Sequence, residues 1–182
     1  MMQALPEGAK LLFSAAEVDA AIDRLAVTLA LELWEAHPIL VCMMNGALPF
    51  TGDLLRRFHF PLELDYVHAT RYPSTPGEDG TSGGEVRFKH DLQRDLKGRT
   101  VVLVDDVLDG GATLAATQER LGARGLERLI SVVMVRKDVA NAKASADYVA
   151  LEAPDEFLVG RGMDLGGAFR QLSGIYSLPE SD

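Results

Sequence analysis

The segment that most restricts this chain runs from Thr100 to Leu114. Thr100-Val101-Val102-Leu103-Val104 is a continuous β-branched and apolar run, the strongest strand signal in the sequence. It ends directly in Asp105-Asp106, passes through Val107-Leu108-Asp109-Gly110-Gly111 and enters a helical pattern at Ala112-Thr113-Leu114. Strand, acids, glycines and helix in that order describe a turn at the ligand end of an α/β sheet, where crevices lie beyond the carboxyl ends of the strands. Glycines let the backbone approach an anion closely, and the first turn of the helix offers unpaired N–H groups and the positive end of its dipole. The turn therefore reads as a phosphate cradle with carboxylates beside it. It lacks the Gly-Lys-Ser/Thr ending of a nucleotide P-loop, and the third-position acid and terminal Glu of a calcium loop. Ribose hydroxyls and Mg²⁺ both favour hard carboxylate oxygens, so a ligand combining ribose, phosphate and a metal-bound diphosphate would use every part of it. The plain alternative is an ordinary strand-to-helix turn with solvated acids.

The rest of the chain supplies a frame for such a turn. Ser14-Ala15-Ala16-Glu17 has capping-box spacing, and Val18, Ile22, Leu25, Leu29 and Leu33 follow at steps of three and four, which predicts a helix to about Glu35. Ile39 to Met43, after His37-Pro38, reads as a strand covered on both faces, and Asn45-Gly46 breaks it. A second helix is expected from Pro49 towards Arg57, and a strand over Leu62 to Ala69. Arg71 to Gly84, with two Pro and four Gly, has neither period and reads as a long loop. A helix from near Gly111 to Gly122 and strands at Leu129 to Val135 and Tyr148 to Leu151 complete the pattern. Strands separated by helices predict a doubly wound, mainly parallel α/β sheet.

At 182 residues and 47% apolar content the chain is long enough for one substantial core, so one domain over 1–182 is expected. Its net charge of −9 opposes non-specific attraction to nucleic acid. The single Cys42 sits in an apolar run, where it packs as a small hydrophobe, and no disulfide framework can form within one chain. No apolar run approaches the ~18 residues of a membrane span, and the start lacks a secretory pattern, so a cytoplasmic protein is expected.

The Asp105–Thr113 segment resembles the phosphoribosyl-pyrophosphate signature of the type I phosphoribosyltransferases, particularly their hypoxanthine-guanine branch, and the resemblance extends weakly from Ile39 to Arg170. It implies a type I phosphoribosyltransferase fold with a small hood formed by the terminal segments, a Mg²⁺-dependent transfer, and purine base and phosphoribosyl pyrophosphate as substrates. By that resemblance Asp105 and Asp106 hold the ribose hydroxyls directly or through Mg²⁺. Asp109, Gly110, Gly111, Ala112 and Thr113 wrap the 5′-phosphate, and Asp109 handles the proton on purine N7. Met44-Asn45-Gly46-Ala47 is similar to the family's pyrophosphate loop, with Asn45 where a lysine is usual. A strained peptide between Met44 and Asn45 would present backbone N–H groups to the diphosphate; a simple Asn-Gly turn is the alternative. Tyr72, after Arg71, matches the mobile catalytic loop.

Further on, Val133-Met134-Val135-Arg136-Lys137 resembles the strand whose terminal lysine donates to the purine 6-oxygen. Lys137 is the choice and Arg136 the competing one, with a solvated basic pair as the plain alternative. Phe157-Leu158-Val159-Gly160-Arg161-Gly162-Met163-Asp164 resembles the family's purine-sandwich and metal segment, which implies that Phe157 stacks on the base, Leu158 reads it through its backbone and Asp164 helps hold Mg²⁺; Arg170 resembles the pyrophosphate-binding arginine, the plain alternatives being a core phenylalanine and a surface charge. A homodimer or homotetramer follows from the resemblance alone. Two other classes compete: a regulator that senses phosphoribosyl pyrophosphate without turnover, and a phosphorylatable receiver domain, which places its acid pair near the first strand instead of after about a hundred residues. Within the enzyme reading, hypoxanthine, guanine and xanthine all stay open.

Overall fold

The computed structural model of the protein describes residues 5–72 and 85–179. Six strands form one sheet in the order β4-β3-β2-β5-β6-β7: β2 (Ile39–Met43), β3 (Glu63–Tyr72), β4 (Glu85–His90), β5 (Thr100–Leu108), β6 (Arg128–Lys137) and β7 (Tyr148–Ala153). All neighbours are parallel except β4, which runs antiparallel to β3 at one edge. The helices α1 (Ala15–Leu33) and α2 (Leu48–Leu55) pack together, over β7 and over β5 and β2 respectively, and α3 (Ala112–Gly122) packs over β3 to β6. The mainly parallel α/β expectation holds.

Local chemistry explains the elements. Ser14 and Glu17 form the capping box: the Glu17 amide donates to Ser14 Oγ at 3.3 Å, and the Ser14 amide donates to Glu17 Oε2 at 2.8 Å. The stripe Val18, Ile22, Leu25, Leu29 and Leu33 is buried along one face of α1. The helix stops at Leu33, two residues short of the expected Glu35, before His37-Pro38 excludes helical backbone. β2 is buried at all five positions and β5 at its first five, as strands covered on both faces must be. Each fully buried Leu or Ile of this core contributes about 1.5–3 kcal/mol.

Several features depart from the expected pattern. β4 was not foreseen; Glu85-Val86-Arg87-Phe88-Lys89-His90 alternates polar and apolar residues, the pattern of a half-covered edge strand. The strand expected to end at Ala69 reaches Tyr72 because β4 supplies it with a partner. No helix joins β6 to β7. Residues 138–147 instead cross over the start of α3, where the Lys143 amide donates to the Gly110 carbonyl at 3.0 Å. The expected long loop begins at Arg71, but Arg71 and Tyr72 have strand backbone; residues 73–84 and the Tyr72 side chain lie outside the described residues.

The hood is present as a second sheet, β1-β9-β8, built from β1 (Lys10–Phe13), β8 (Phe157–Val159) and β9 (Ile175–Leu178). Val159, Phe169 and Leu178 form its own small apolar cluster. Among the described residues no helix is long and apolar enough to cross a membrane.

Candidate active site at the carboxyl ends of the central strands

The strand order places a topological switch between β2 and β5: from β2 the chain proceeds to β3 and β4 on one side, and from β5 to β6 and β7 on the other. At such a point the loops leaving two neighbouring strands turn apart and open a crevice. A cleft of about 430 Å³ lies there, lined by Met43, Met44 and Gly46 after β2, by Asp105 to Asp109 at the end of β5, by Gly111 and Thr113 at the start of α3, and by Asp164 from the hood side. A larger groove of about 920 Å³ on the outer side of α1 carries Val27, Leu31 and Trp34 with charged residues on its rim. No glycine turn or strand end faces it, so the smaller cleft is where the fold and the acids coincide.

β5 continues through the acids to Leu108 instead of stopping before them, so Asp105 pairs in register with Val133 of β6. The Asp106 amide donates to Asp105 Oδ1 at 3.0 Å, and the Val107 amide to Asp106 Oδ1 at 2.9 Å. Burial lifts the Asp105 carboxyl well above its ordinary value of 3.8, and the charge of Asp106 next to it pushes the same way. Burial raises Asp106 too, opposed by its hydrogen bonds to Asp105 and Val107 and by the Arg170 cation. The pair is thus a pocket of under-compensated negative charge that a hard cation or a set of hydroxyl donors would relieve. Among the described residues no three ligating side chains cluster into a closed metal cage. A divalent cation held by Asp105, Asp106 or Asp164 would keep positions for water and ligand oxygens, as Mg²⁺ prefers.

Gly46 stands against the Asp106 carboxylate. A Cβ there would lie 1.9 Å from Asp106 Oδ2, so the turn after β2 presses directly on the acid pair. In that turn the Met44–Asn45 peptide bond is cis, the Met44 amide donates to Val67 O at 2.8 Å, and Asn45 is exposed. At the other end of the cleft, Gly111 caps α3 and packs against the crossover: a Cβ on it would meet the Ala144 amide nitrogen at 2.7 Å.

Lys137 and Arg136 part ways at the end of β6. Lys137 is largely buried and its Nζ stands 3.8 Å from Asp109 Oδ1 and 3.7 Å from Asp155 Oδ1. Arg136, on the opposite side of the strand, pairs with Glu152 on β7. The geometry thus puts Lys137, and not Arg136, beside the cleft. Phe157 opens β8 with 40% of its surface exposed, whereas the Leu158 side chain is buried. Arg170 Nη2 lies 2.5 Å from Asp164 Oδ1, and its Nη1 donates to Gly162 O at 2.6 Å. Lys137, Phe157, Leu158 and Arg170 are not among the residues that line the cleft, and Gly110 and Ala112 alternate with residues that are. Asp155 was missed by sequence reasoning; its position two residues before the candidate platform Phe157 was the available signal. Met43 and Ala69 were also missed, because nothing in a buried strand marks which residues face a crevice.

A switch-point cleft, a glycine turn at a helix start and an acid pair together suit a ligand that carries both phosphate and hydroxyl groups. The model of the phosphoribosyl transferase domain family matches residues 12–164, and the chain belongs to that family. The chain is 31% identical over 164 residues to the hypoxanthine-guanine phosphoribosyltransferase of Bacillus subtilis (strain 168), covering 90% of this chain and 89% of that one. It is 33% identical over 164 residues to the bifunctional protein TilS/HprT of Listeria monocytogenes serotype 4b (strain F2365), covering 90% of this chain but 25% of that longer protein. The crystal structure of a hypoxanthine phosphoribosyltransferase from Staphylococcus aureus superposes with a TM-score of 0.86 at 27% identity, covering 95% of this chain and 94% of that one.

Proposed function

We propose that the protein is a purine-salvage phosphoribosyltransferase that converts hypoxanthine, guanine or both, with phosphoribosyl pyrophosphate, into IMP or GMP and pyrophosphate. The observation that carries the reading is the Asp105–Thr113 turn at the switch point, with Asp105, Asp106, Asp109, Gly111 and Thr113 lining one cleft. Asp105 and Asp106 accept hydrogen bonds from the ribose hydroxyls, and the turn from Asp109 to Thr113 wraps the 5′-phosphate with the free N–H groups of α3. Across the cleft, the Met44–Gly46 turn and Arg170 face the diphosphate. Lys137 donates to the purine 6-oxygen, Phe157 stacks on the ring and Leu158 reads its edge through the backbone. Tyr72 serves the lid.

In the transfer, purine N9 bonds to C1 of the ribose as the C1–oxygen bond to pyrophosphate breaks, and positive charge builds on the sugar. Asp109 accepts the proton that the base gives up on N7, and Arg170 stabilises charge on the leaving group. Mg²⁺, held by Asp164 together with Asp105 or Asp106, would neutralise the diphosphate and act as an electrophile towards the leaving oxygens. A closed lid keeps water from intercepting the cation. A 6-amino base would bring its own donors against Lys137, and a buried pair of facing donors is strongly rejected. The same reading carries a cytoplasmic enzyme that assembles as a dimer or tetramer; the exposed Leu31 of α1 and Trp34 just after it are apolar surface available to such contacts.

The test is nucleotide formation followed by absorbance, with purified protein, Mg²⁺, phosphoribosyl pyrophosphate and each of hypoxanthine, guanine, xanthine and adenine. Product from hypoxanthine or guanine and none from adenine is expected. Preference for xanthine would move the substrate assignment, and no product from any base would favour a ligand-sensing regulator.

A further inference from the structure

Arg161 lies outside the cleft, yet it joins the segment that follows β8 and carries Asp164 to both α1 and α2. Its backbone is left-handed at φ 49°, its side chain is 88% buried by the hood and two helices, and its guanidinium is fully engaged. Nε donates to Asp53 Oδ2 at 2.9 Å, Nη2 reaches the same oxygen at 2.7 Å and also Asp19, and Nη1 donates to Ser173 O at 3.2 Å. Asp53 is buried in α2, the helix that begins just after the Met44–Gly46 turn, and Asp19 belongs to α1. A planar fork can satisfy three such acceptors at once, which a lysine cannot do.

The residue next to it explains why this clamp matters. A Cβ on Gly162 would lie 1.9 Å from Gly46 O and 3.2 Å from Pro49 Cδ, so the strap 160–174 rests directly on the Met44–Gly46 turn. The strap is closed by the Arg161 amide to Leu172 O at 2.8 Å and the Gly162 amide to Arg170 O at 3.0 Å, and it carries Asp164 and Arg170. Arg161 therefore ties the strap to the helix that follows the turn. The cradle at the far end of the cleft is braced differently, by α3 and the 143–144 crossover.

We propose that Arg161 is a positioning residue for the pyrophosphate half of the site: through Asp53 and Asp19 it holds Asp164 and Arg170 in register with the Met44–Gly46 turn. This rests on the reading of the cleft as a phosphoribosyl-pyrophosphate site. Its consequence is selective, because a slackened strap disturbs groups facing the diphosphate and leaves the 5′-phosphate cradle in place.

The experiment compares wild type, Arg161→Lys, Arg161→Gln and the paired Arg161→Gln/Asp53→Asn. Arg56 also pairs with Asp53 and stays in place in Arg161→Gln; the paired variant removes both partners of the Arg161–Asp53 contact and so guards against a fold strained by a half-paired buried carboxylate. Calorimetric titration with Mg²⁺-pyrophosphate and, separately, with GMP is combined with KM for phosphoribosyl pyrophosphate and for the base. In Arg161→Gln and the paired variant, the pyrophosphate Kd and the phosphoribosyl-pyrophosphate KM rise about tenfold to a hundredfold, while the GMP Kd and the base KM stay at wild-type values. Arg161→Lys falls between. Equal weakening of pyrophosphate and GMP, or no weakening of either beside a lowered melting temperature, overturns the proposal and leaves the site reading intact. A wild-type protein that binds neither ligand overturns both.

Discussion

On the proposed function, individual residues in and beside the cleft divide into one that would move a proton and one that would select the base. If Asp109 takes the proton from purine N7, Asp109→Asn keeps its size and loses its basicity, so kcat falls by a hundredfold or more, on the order expected of a general base. The dissociation constant for phosphoribosyl pyrophosphate moves by less than about threefold. Steady-state kinetics beside equilibrium titration separates the two, and equal losses in both would remove Asp109 from the proton path. On the proposed function Lys137 would select the base; its Nζ stands 3.8 Å from Asp109 Oδ1 and 3.7 Å from Asp155 Oδ1. Lys137→Met should cost hypoxanthine or guanine about a hundredfold in kcat/KM, the equivalent of a lost charged hydrogen bond. Competition assays should show the handicap of adenine shrinking in the same variant. Unchanged discrimination would point to another group as the reader of the 6-position. Sequence reasoning already preferred Lys137 to Arg136, and the alternation of a strand is the physical reason that the two face apart.

At the scale of elements, two glycines should respond oppositely to the same change. Gly162 has φ 111° and would drive a Cβ to 1.9 Å from the Gly46 carbonyl. Gly162→Ala should therefore destabilise the protein by about 1–3 kcal/mol and weaken phosphoribosyl-pyrophosphate binding as the strap lifts from the turn. Gly122, the last residue of α3, has open space around its Cβ position. Gly122→Ala should stabilise by about 0.5–1 kcal/mol through helix propensity, with activity unchanged. Thermal melts of the two variants decide the matter; a neutral Gly162→Ala would mean that the strap is not seated as described. Elements with a strong local period were legible in the sequence. The α1 stripe and its capping box, the buried run of β2, the apolar run of β5 and the start of α3 all stand where their residues imply. β4 and the hood strands were not legible, because strands of three to six residues carry little local signal and are fixed by a distant partner. Residues 138–147 form no helix because Asp138-Val139-Ala140-Asn141-Ala142-Lys143-Ala144-Ser145 has no apolar stripe to bury.

Across the whole molecule, the acid pair sets a stability penalty that ligands would lift. Asp105 holds its proton more tightly folded than unfolded, since burial and Asp106 raise it well above 3.8. In the window from 3.8 up to that raised value the folded state therefore binds more protons than the unfolded one. Stability falls as pH rises through the window and stays lower above it. In chelator-treated buffer, Asp105→Asn should accordingly melt at a higher temperature than wild type at neutral pH, with the difference closing as pH is lowered towards 3.8. A variant that melts lower at every pH would show the carboxylate to be structural instead. The overall architecture was readable because alternating strands and helices leave few topologies, and the acid–glycine turn marked which strand end mattered. What a chain read in one dimension conceals is the closure of the cleft from the far side: Gly162 against Gly46, Arg170 against Asp164, and Lys137 near Asp109 are pairings between segments roughly 6 to 116 residues apart, set by tertiary packing.

The central claim is that the Asp105–Thr113 turn is a socket for a phosphorylated sugar. The most direct measurement is a crystal structure of the protein soaked with phosphoribosyl pyrophosphate and Mg²⁺. The account predicts the ribose hydroxyls on Asp105 and Asp106, the 5′-phosphate enclosed by residues 109–113 and the diphosphate between the Met44–Gly46 turn and Arg170. An empty turn at saturating ligand, or a ligand bound with both carboxylates directed away from the ribose, would contradict it.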